Sequence, residues 1–180
     1  MRELKYHEKK LLKKVNLEKW KKTNTEREQL VSSKYLLHNR DEYVKYNRLV
    51  GMIRKMAESL VRLVENDCTR QYLTKKLINK LYSLGIISEK RLSDCTKITV
   101  SDVCKRRLPI ILKHLGMVEN FKDADKFVQQ GHVKIGTKIC NNPAILISKN
   151  KEEFVKWDDG SKIKKKIDAQ NNVFDDFKYY

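Results

Sequence analysis

Residues 105–136 read KRRLPIILKHLGMVENFKDADKFVQQGHVKIG. This stretch decides the fold because its apolar residues change their spacing from helical to alternating. The first predicted helix, closed by Gly116, has apolar residues three and four positions apart: Leu108, Ile111, Leu112 and Leu115. A second helix is predicted from about Asn120 to Gly131. His132–Ile135 then alternates as a strand does, so two helices lead into a small sheet.

Pro109 divides the start of this unit. Proline is tolerated in the first turn of a helix and disrupts its interior. We therefore expect a short turn up to Arg107 and a separate or kinked helix after it. Gly136–Thr137 predicts a turn, Lys138–Cys140 a returning strand, and Ala144–Ile147 a further extended segment after a second turn.

Upstream of this unit the sequence predicts a helical pair. The first helix begins near residue 40, with Asn39 and Glu42 spaced as a capping box. One apolar stripe follows it: Tyr43, Tyr46, Val50, Ile53, Ala57, Leu60 and Val64. The second helix carries another stripe: Leu73, Leu77, Ile78, Leu81 and Leu84. Gly85 stands where its C-terminal cap belongs, and we expect the two helices to pack antiparallel, stripe to stripe.

The predicted fold class is α+β, a helical N-terminal part followed by a small domain of two helices and an antiparallel sheet. The expected divisions are a basic arm, a helical region, the small domain, and a basic then acidic-aromatic tail: 1–35, 36–98, 99–157 and 158–180. Within the arm, the polar run Thr23 to Ser33 predicts a linker. The lysine-rich residues 1–22 are either a helix that forms against a partner or an extended arm.

The charge is strongly basic. The chain has 40 Lys and Arg against 23 Asp and Glu, a formal net charge of +17 at pH 7. Such an excess disfavours a compact state unless an anion neutralises it, and nucleic acid is the commonest such partner. A generally solvated basic surface is the alternative.

Three groups of cations are candidate RNA contacts. If the first helix packs beside the hairpin, one group converges on one face: Lys105, Arg106, Arg107, Lys113, His114, His132, Lys134 and Lys138. The arm supplies Lys9, Lys10, Lys13 and Lys14, and the tail supplies Lys162, Lys164 and Lys165. A basic face of point charges suits the phosphates of folded RNA more than base edges. The alternative for each group is a solvated surface that binds no ligand. The tail cluster is also compatible with nuclear targeting.

Catalysis, metal binding and membrane insertion find no support in the sequence. The four cysteines, Cys68, Cys95, Cys104 and Cys140, form no C-x-x-C pair, and we expect buried or idle thiols and neither a metal nor a cofactor. No glycine-rich nucleotide loop, nucleophile motif or paired-carboxylate site is visible, so we expect that the protein is not an enzyme. No apolar run approaches the roughly 20 residues that span a bilayer, and no membrane association is expected.

A family resemblance sharpens these expectations. One series of residues resembles the S4 RNA-binding domain: Arg107-Leu108, Leu115-Gly116, Gly131-His132-Val133-Lys134-Ile135-Gly136 and Pro143. The flanking segments are His7–Val15, Asn39–Arg48, Lys105–Pro109, Trp157 and Ser161–Lys166. With them, nearly the whole chain is similar to the S4-domain protein family of the U3 small nucleolar ribonucleoprotein. On that resemblance, the RNA face would be Arg106, Arg107, Lys113, His132, Lys134 and Lys138.

The resemblance also implies a function, partners and a location. Members help U3 small nucleolar RNA pair with small-subunit pre-ribosomal RNA during 18S rRNA processing, in the nucleolus of the nucleus. They associate with a Brix-domain protein and a large phosphoprotein scaffold, and no homo-oligomer is expected. The alternative function is that of a structural small-subunit ribosomal protein of the S4 family. The acidic-aromatic residues 174–180 are expected to dock on protein, not on phosphate.

Overall fold

The computed structural model describes residues 2–14 and 26–170. The elements in those ranges are α1 Tyr6–Lys14, α2 Glu26–Tyr35, α3 Arg40–Arg62, α4 Cys68–Leu84, α5 Leu92–Lys97, α6 Val100–Cys104, α7 Leu108–His114, α8 Phe121–Gln129, β1 Val133–Ile135, β2 Lys138–Ile139, α9 Lys149–Glu152, β3 Val155–Trp157 and α10 Lys162–Gln170. Over these ranges the protein is mostly helical with one small sheet, and the predicted α+β class is confirmed.

The sheet has three antiparallel strands in the order β2-β1-β3. The predicted hairpin is confirmed, with Lys134 opposite Ile139 across it. The further extended segment differs from the prediction, because Ala144–Ile147 makes only an isolated bridge between Leu146 and Arg107. The other edge of β1 is instead paired by β3, in which Lys156 lies opposite Lys134.

The first apolar core is built on α3. The predicted stripe is confirmed from Tyr43 to Leu60, but Val64 lies beyond the helix end and is 75% exposed. The stripe is covered mainly by the short helices α5 and α6, which bring Cys95, Ile98 and Val103 to it. The predicted packing of α4 on α3 is confirmed only in part, because Ile78 and Leu81 of the α4 stripe are buried in this core whereas Leu73 is exposed.

The second core lies between α7, α8 and the sheet. Its buried members are Leu108, Ile111, Leu112, Ala124, Val128, Val133, Ile147 and Val155. As predicted, Pro109 stands in the first turn of a separate helix, α7, and α6 ends before it at Cys104. Ile110 belongs to the first core while its neighbours belong to the second, so α7 is shared by both cores.

Helix ends follow the predicted glycines. Gly85, Gly116 and Gly131 have φ angles of 75°, 70° and 76°, in the left-handed region that only glycine adopts readily. The predicted capping box at the start of α3 is wrong. Among the described residues the Asn39 side chain makes no capping hydrogen bond, and the Glu42 carboxylate that would supply the other half of the box is bound to Arg107.

The N-terminal region also departs from the prediction. Glu26–Tyr35 forms the helix α2 where a linker was expected, because Val31 and Tyr35, one turn apart, both pack on the first core. The expectations for residues 15–22 and 174–180 concern residues outside the described ranges. Nowhere in 2–14 or 26–170 is there a helix both long and apolar enough to cross a membrane.

Candidate RNA interface

Arg107 lies inside the protein. Its side chain is 1% exposed, and its Nη1 donates hydrogen bonds to Glu42 Oε2 at 2.5 Å and to Tyr46 Oη at 3.2 Å. Burial acts to lower the pKa of Arg107, but the hydrogen bond and charge of Glu42 and Tyr46 outweigh it and raise that pKa. The placement of Arg107 on an exposed RNA face is therefore corrected: this cation ties α3 to the start of α7.

The Arg106 side chain also connects segments of the chain inside the protein. Its Nε and Nη2 donate to the Ile147 carbonyl oxygen at 2.8 and 2.7 Å, and its Nη1 pairs with Glu152 at 2.6 Å. The guanidinium also lies against Gly85, where a Cβ would come within 2.9 Å of it. With its side chain 12% exposed, Arg106 presents little charge to solvent.

Four of the predicted RNA contacts lie open to solvent: Lys105, Lys113, His114 and Lys138. Lys113 and His114 are in the last turn of α7, and Lys138 is on β2. Lys113 Nζ lies 4.3 Å from the centre of the Phe121 ring. Lys105, just after α6, is exposed and donates a hydrogen bond to Asp102 at 2.9 Å, which raises the pKa of Lys105. These residues can meet a phosphate without disturbing either core.

His132 and Lys134 are joined to the helix that follows the sheet. The His132 Nδ1 is 3.0 Å from Ser161 Oγ, just before α10. Lys134 and Lys164 both bind the Asp159 carboxylate, and their hydrogen bonds lower the pKa of that exposed group to about 2. Lys134 is thus connected to α10 through Asp159, an acidic residue that no sequence pattern had singled out.

The arm and tail cations lie on helices of their own. Lys9, Lys10, Lys13 and Lys14 belong to α1, which has no buried residue and exposes all four. Lys162, Lys164 and Lys165 belong to the first turn of α10. Two leucines of α1, Leu11 and Leu12, are also exposed, as is Leu4 just before the helix.

Sequence reasoning missed the acidic partners and two further lysines. Four carboxylates each neutralise at least one predicted cation: Glu42, Asp102, Glu152 and Asp159. The pair most distant in the sequence is Glu42 and Arg107, which are 65 residues apart. Lys149 and Lys90 both lie over the Tyr82 ring, at 4.1 and 4.8 Å from its centre. Pairs so distant in the chain leave no periodic signal. Within the described ranges, no group of three or more His, Cys, Asp or Glu side chains is placed to hold a metal ion.

Two family matches cover most of the chain. Residues 3–105 match the Ribosomal protein S4/S9 N-terminal domain, and residues 106–152 match the S4 domain. The junction between the two falls between Lys105 and Arg106, at the turn from α6 to α7. The strand β3 and the helix α10 follow the second match.

Curated relatives extend over almost the full length. The chain is 44% identical to the U3 small nucleolar ribonucleoprotein protein IMP3 of Saccharomyces cerevisiae, over 99% of both chains. It is 39% identical to the protein of the same name from Homo sapiens and 35% identical to that from Caenorhabditis elegans, in each case over 98% of this chain and 97% of the relative.

Proposed function

This chain belongs to the family of the U3 small nucleolar ribonucleoprotein protein IMP3, and from that membership we propose that it is an RNA-binding ribosome-assembly factor of the U3 particle. The observation that carries the proposal is the match along nearly the whole chain, arm and tail included. It works in the nucleolus of the nucleus and without catalytic turnover. Its RNA ligands are U3 small nucleolar RNA and small-subunit pre-ribosomal RNA.

The mechanism that fits the charge distribution is electrostatic. Two RNA strands repel each other, and cations placed between them lower that repulsion as condensed counterions are released. The exposed lysines of α1 belong to the first family match, and those of α7 and β2 belong to the second. Two groups of exposed lysines suit a protein that holds two strands and promotes their pairing.

A strand-annealing assay tests this function. Two short complementary RNAs, one from each proposed ligand and each carrying one dye of an energy-transfer pair, should pair faster with the protein than without it. A Lys113→Gln/Lys138→Gln variant should lose much of that acceleration, because it removes two exposed cations. The matched control Lys75→Gln/Lys80→Gln removes two exposed lysines of α4 and should keep it. Equal acceleration by both double variants would contradict the placement of the working surface.

The match of residues 3–105 to a ribosomal protein domain favours a second candidate function, that of a structural small-subunit ribosomal protein. The two functions differ in how long the protein stays on the particle. An assembly factor should sediment with precursor particles and be absent from mature small subunits on a sucrose gradient. Stoichiometric recovery with mature subunits would support the structural function instead.

Protein partners are part of the same proposal. A Brix-domain protein and a large phosphoprotein scaffold are the expected neighbours in the particle. Exposed apolar side chains on the helical part, among them Met52 and Met56 of α3, offer them a non-electrostatic contact. Co-purification of the intact chain with each candidate at high salt, where RNA contacts are weakened, measures that association.

A further inference from the structure

A groove of about 470 Å³ lies between the end of the sheet and α10. That volume falls within the range of about 300–1,000 Å³ typical of small-molecule sites. Its apolar wall is formed by Met117, Trp157 and Ile167. Trp157 and Ile167 lie after residue 152, so the groove is completed by residues outside the S4 domain match.

Trp157 is held in a fixed orientation. The ring of Phe127 meets it edge-on, with 5.9 Å between the ring centres and an angle of 70°. His132 meets Phe127 in the same way at 6.3 Å, and His132 is itself bonded to Ser161. Trp157 is only partly buried and lines the groove, so part of its indole ring is open to a base that enters the groove.

The rim of the groove is charged in a pattern that suits a nucleotide. Lys134, Lys156 and Lys164 line it together with Asp159 and Asp168. Lys134 and Lys164 are paired with Asp159, whereas Lys156, opposite Lys134 in the adjacent strand, is exposed to solvent. Lysines at the rim suit phosphates, and a carboxylate suits the amino group of a base.

We propose that this groove binds one unpaired nucleobase of the bound RNA, stacked on Trp157, with a phosphate on Lys156 and its amino group on Asp168. The proposal rests on the RNA-binding function proposed above and adds to it a contact with a base. Unpaired bases stacked on aromatic side chains are the usual means by which proteins hold single-stranded RNA. Cytosine, adenine and guanine carry an exocyclic amino group and uracil does not, so the groove should disfavour uracil.

The test uses the full chain with Trp20→Phe, which leaves Trp157 as its single tryptophan. A dye-labelled oligocytidine is titrated, and RNA binding is followed by dye anisotropy while the groove is followed by Trp157 emission. Both signals should change at the same RNA concentration. A rise in anisotropy with unchanged Trp157 emission would overturn the base-binding groove and leave the proposed function standing. No change in either signal would overturn both.

A groove-filling variant tests the location. Ile167→Phe in the same background should suppress the quenching of Trp157 and weaken oligocytidine binding about tenfold, the loss expected from one stacked base. The matched control Ala169→Phe adds the same ring to an exposed position of α10 that does not line the groove. Equal quenching in both variants would overturn the location.

A comparison of two RNAs with different bases needs no further variant, so its outcome does not depend on how the variants fold. Oligocytidine and oligouridine of equal length carry the same phosphate charge, so a purely electrostatic surface binds them alike. The groove predicts that oligocytidine quenches Trp157 at a several-fold lower concentration than oligouridine. Equal quenching by both would overturn the role of Asp168.

Discussion

Three consecutive cations have three different environments. Lys105 is exposed, Arg106 lies against Gly85 and the Ile147 carbonyl, and Arg107 is buried beside Glu42. Their identity as cations predicts a phosphate contact equally well for all three. Burial separates them, because a charge taken out of water must be paired and is then unavailable to a ligand.

Replacing Arg107 should therefore change stability before it changes RNA binding. Arg107→Met leaves the Glu42 carboxylate without its partner, and we expect the free energy of unfolding to fall by about 3 kcal/mol. Lys138→Met, at an exposed position of β2, should change it by less than about 0.5 kcal/mol. Urea unfolding followed by circular dichroism measures both. A loss at Arg107 no larger than that at Lys138 would contradict the structural role.

The cysteines provide a second residue-scale prediction. Burial raises the pKa of the Cys104 thiol to about 11, which outweighs the opposing charge of Arg107. At pH 8 only about one thiol in a thousand is then ionised, and the thiolate is the reactive form. Cys68 is exposed. A coloured disulfide reagent should modify Cys68 at once and Cys104 only after denaturation, as read by mass spectrometry of the digested protein. Early modification of Cys104 would contradict its burial.

At the scale of elements, local signals and distant partners contribute differently. The helix ends at Gly85, Gly116 and Gly131 follow from a backbone conformation that glycine adopts at little cost. The strand β3 has no such signal. It is a strand because it pairs with β1 and buries Val155 in the second core, and both partners are remote in the sequence.

The contact between α10 and the sheet should depend on pH through Asp159. Its pKa is about 2 when folded, below the ordinary value of 3.8, because Lys134 and Lys164 stabilise the carboxylate. A lowered folded pKa means that this stabilisation is complete above about pH 4 and is lost as the pH falls toward 2. In Trp20→Phe protein, Trp157 emission should therefore change across that window.

Asp159→Asn should remove that change, since the amide cannot titrate. The matched control Asp41→Asn alters an exposed carboxylate at the start of α3 and should keep the transition of the parent protein. An unaltered transition in Asp159→Asn would show that other carboxylates hold α10 in place.

At the scale of the whole molecule, two apolar cores are joined through α7 and by polar ties across the junction. Arg107 binds Glu42, the Tyr46 hydroxyl donates to the Ala144 carbonyl oxygen at 3.4 Å, and His38 lies 2.9 Å from Asp125. The net charge of +17 lies on this scaffold, with α1 outside both cores. RNA binding should accordingly be strongly salt-dependent and sensitive to α1.

Removing the α1 cations should reduce that dependence by a predictable amount. If Lys9, Lys10, Lys13 and Lys14 each neutralise one phosphate, changing all four to Gln lowers the slope of log affinity against log salt by about 3 for single-stranded RNA. Thermal unfolding should be unchanged because α1 has no buried residue. Anisotropy titrations at several KCl concentrations measure the slope. An unchanged slope would mean that α1 does not contact RNA.

The sequence alone determined the features that depend on neighbouring residues. It predicted the α3 stripe, the break at Pro109, the glycine helix ends, the β1–β2 hairpin and the α+β class, because periodicity and backbone preference are local properties. The sequence likewise showed the excess of Lys and Arg that points to RNA. Its resemblance to a known family covered nearly the whole chain and is confirmed by the relatives.

Only the tertiary structure decided which cations remain on the surface and which elements meet. Glu42 lies 65 residues from Arg107, and Asp159 lies 25 residues from Lys134, so neither pairing leaves a pattern along the chain. The helix α2, the strand β3 and the cover of α3 by α5 and α6 depend likewise on burial against distant residues. A side chain's charge is a property of its sequence position, whereas its exposure is a property of everything packed around it.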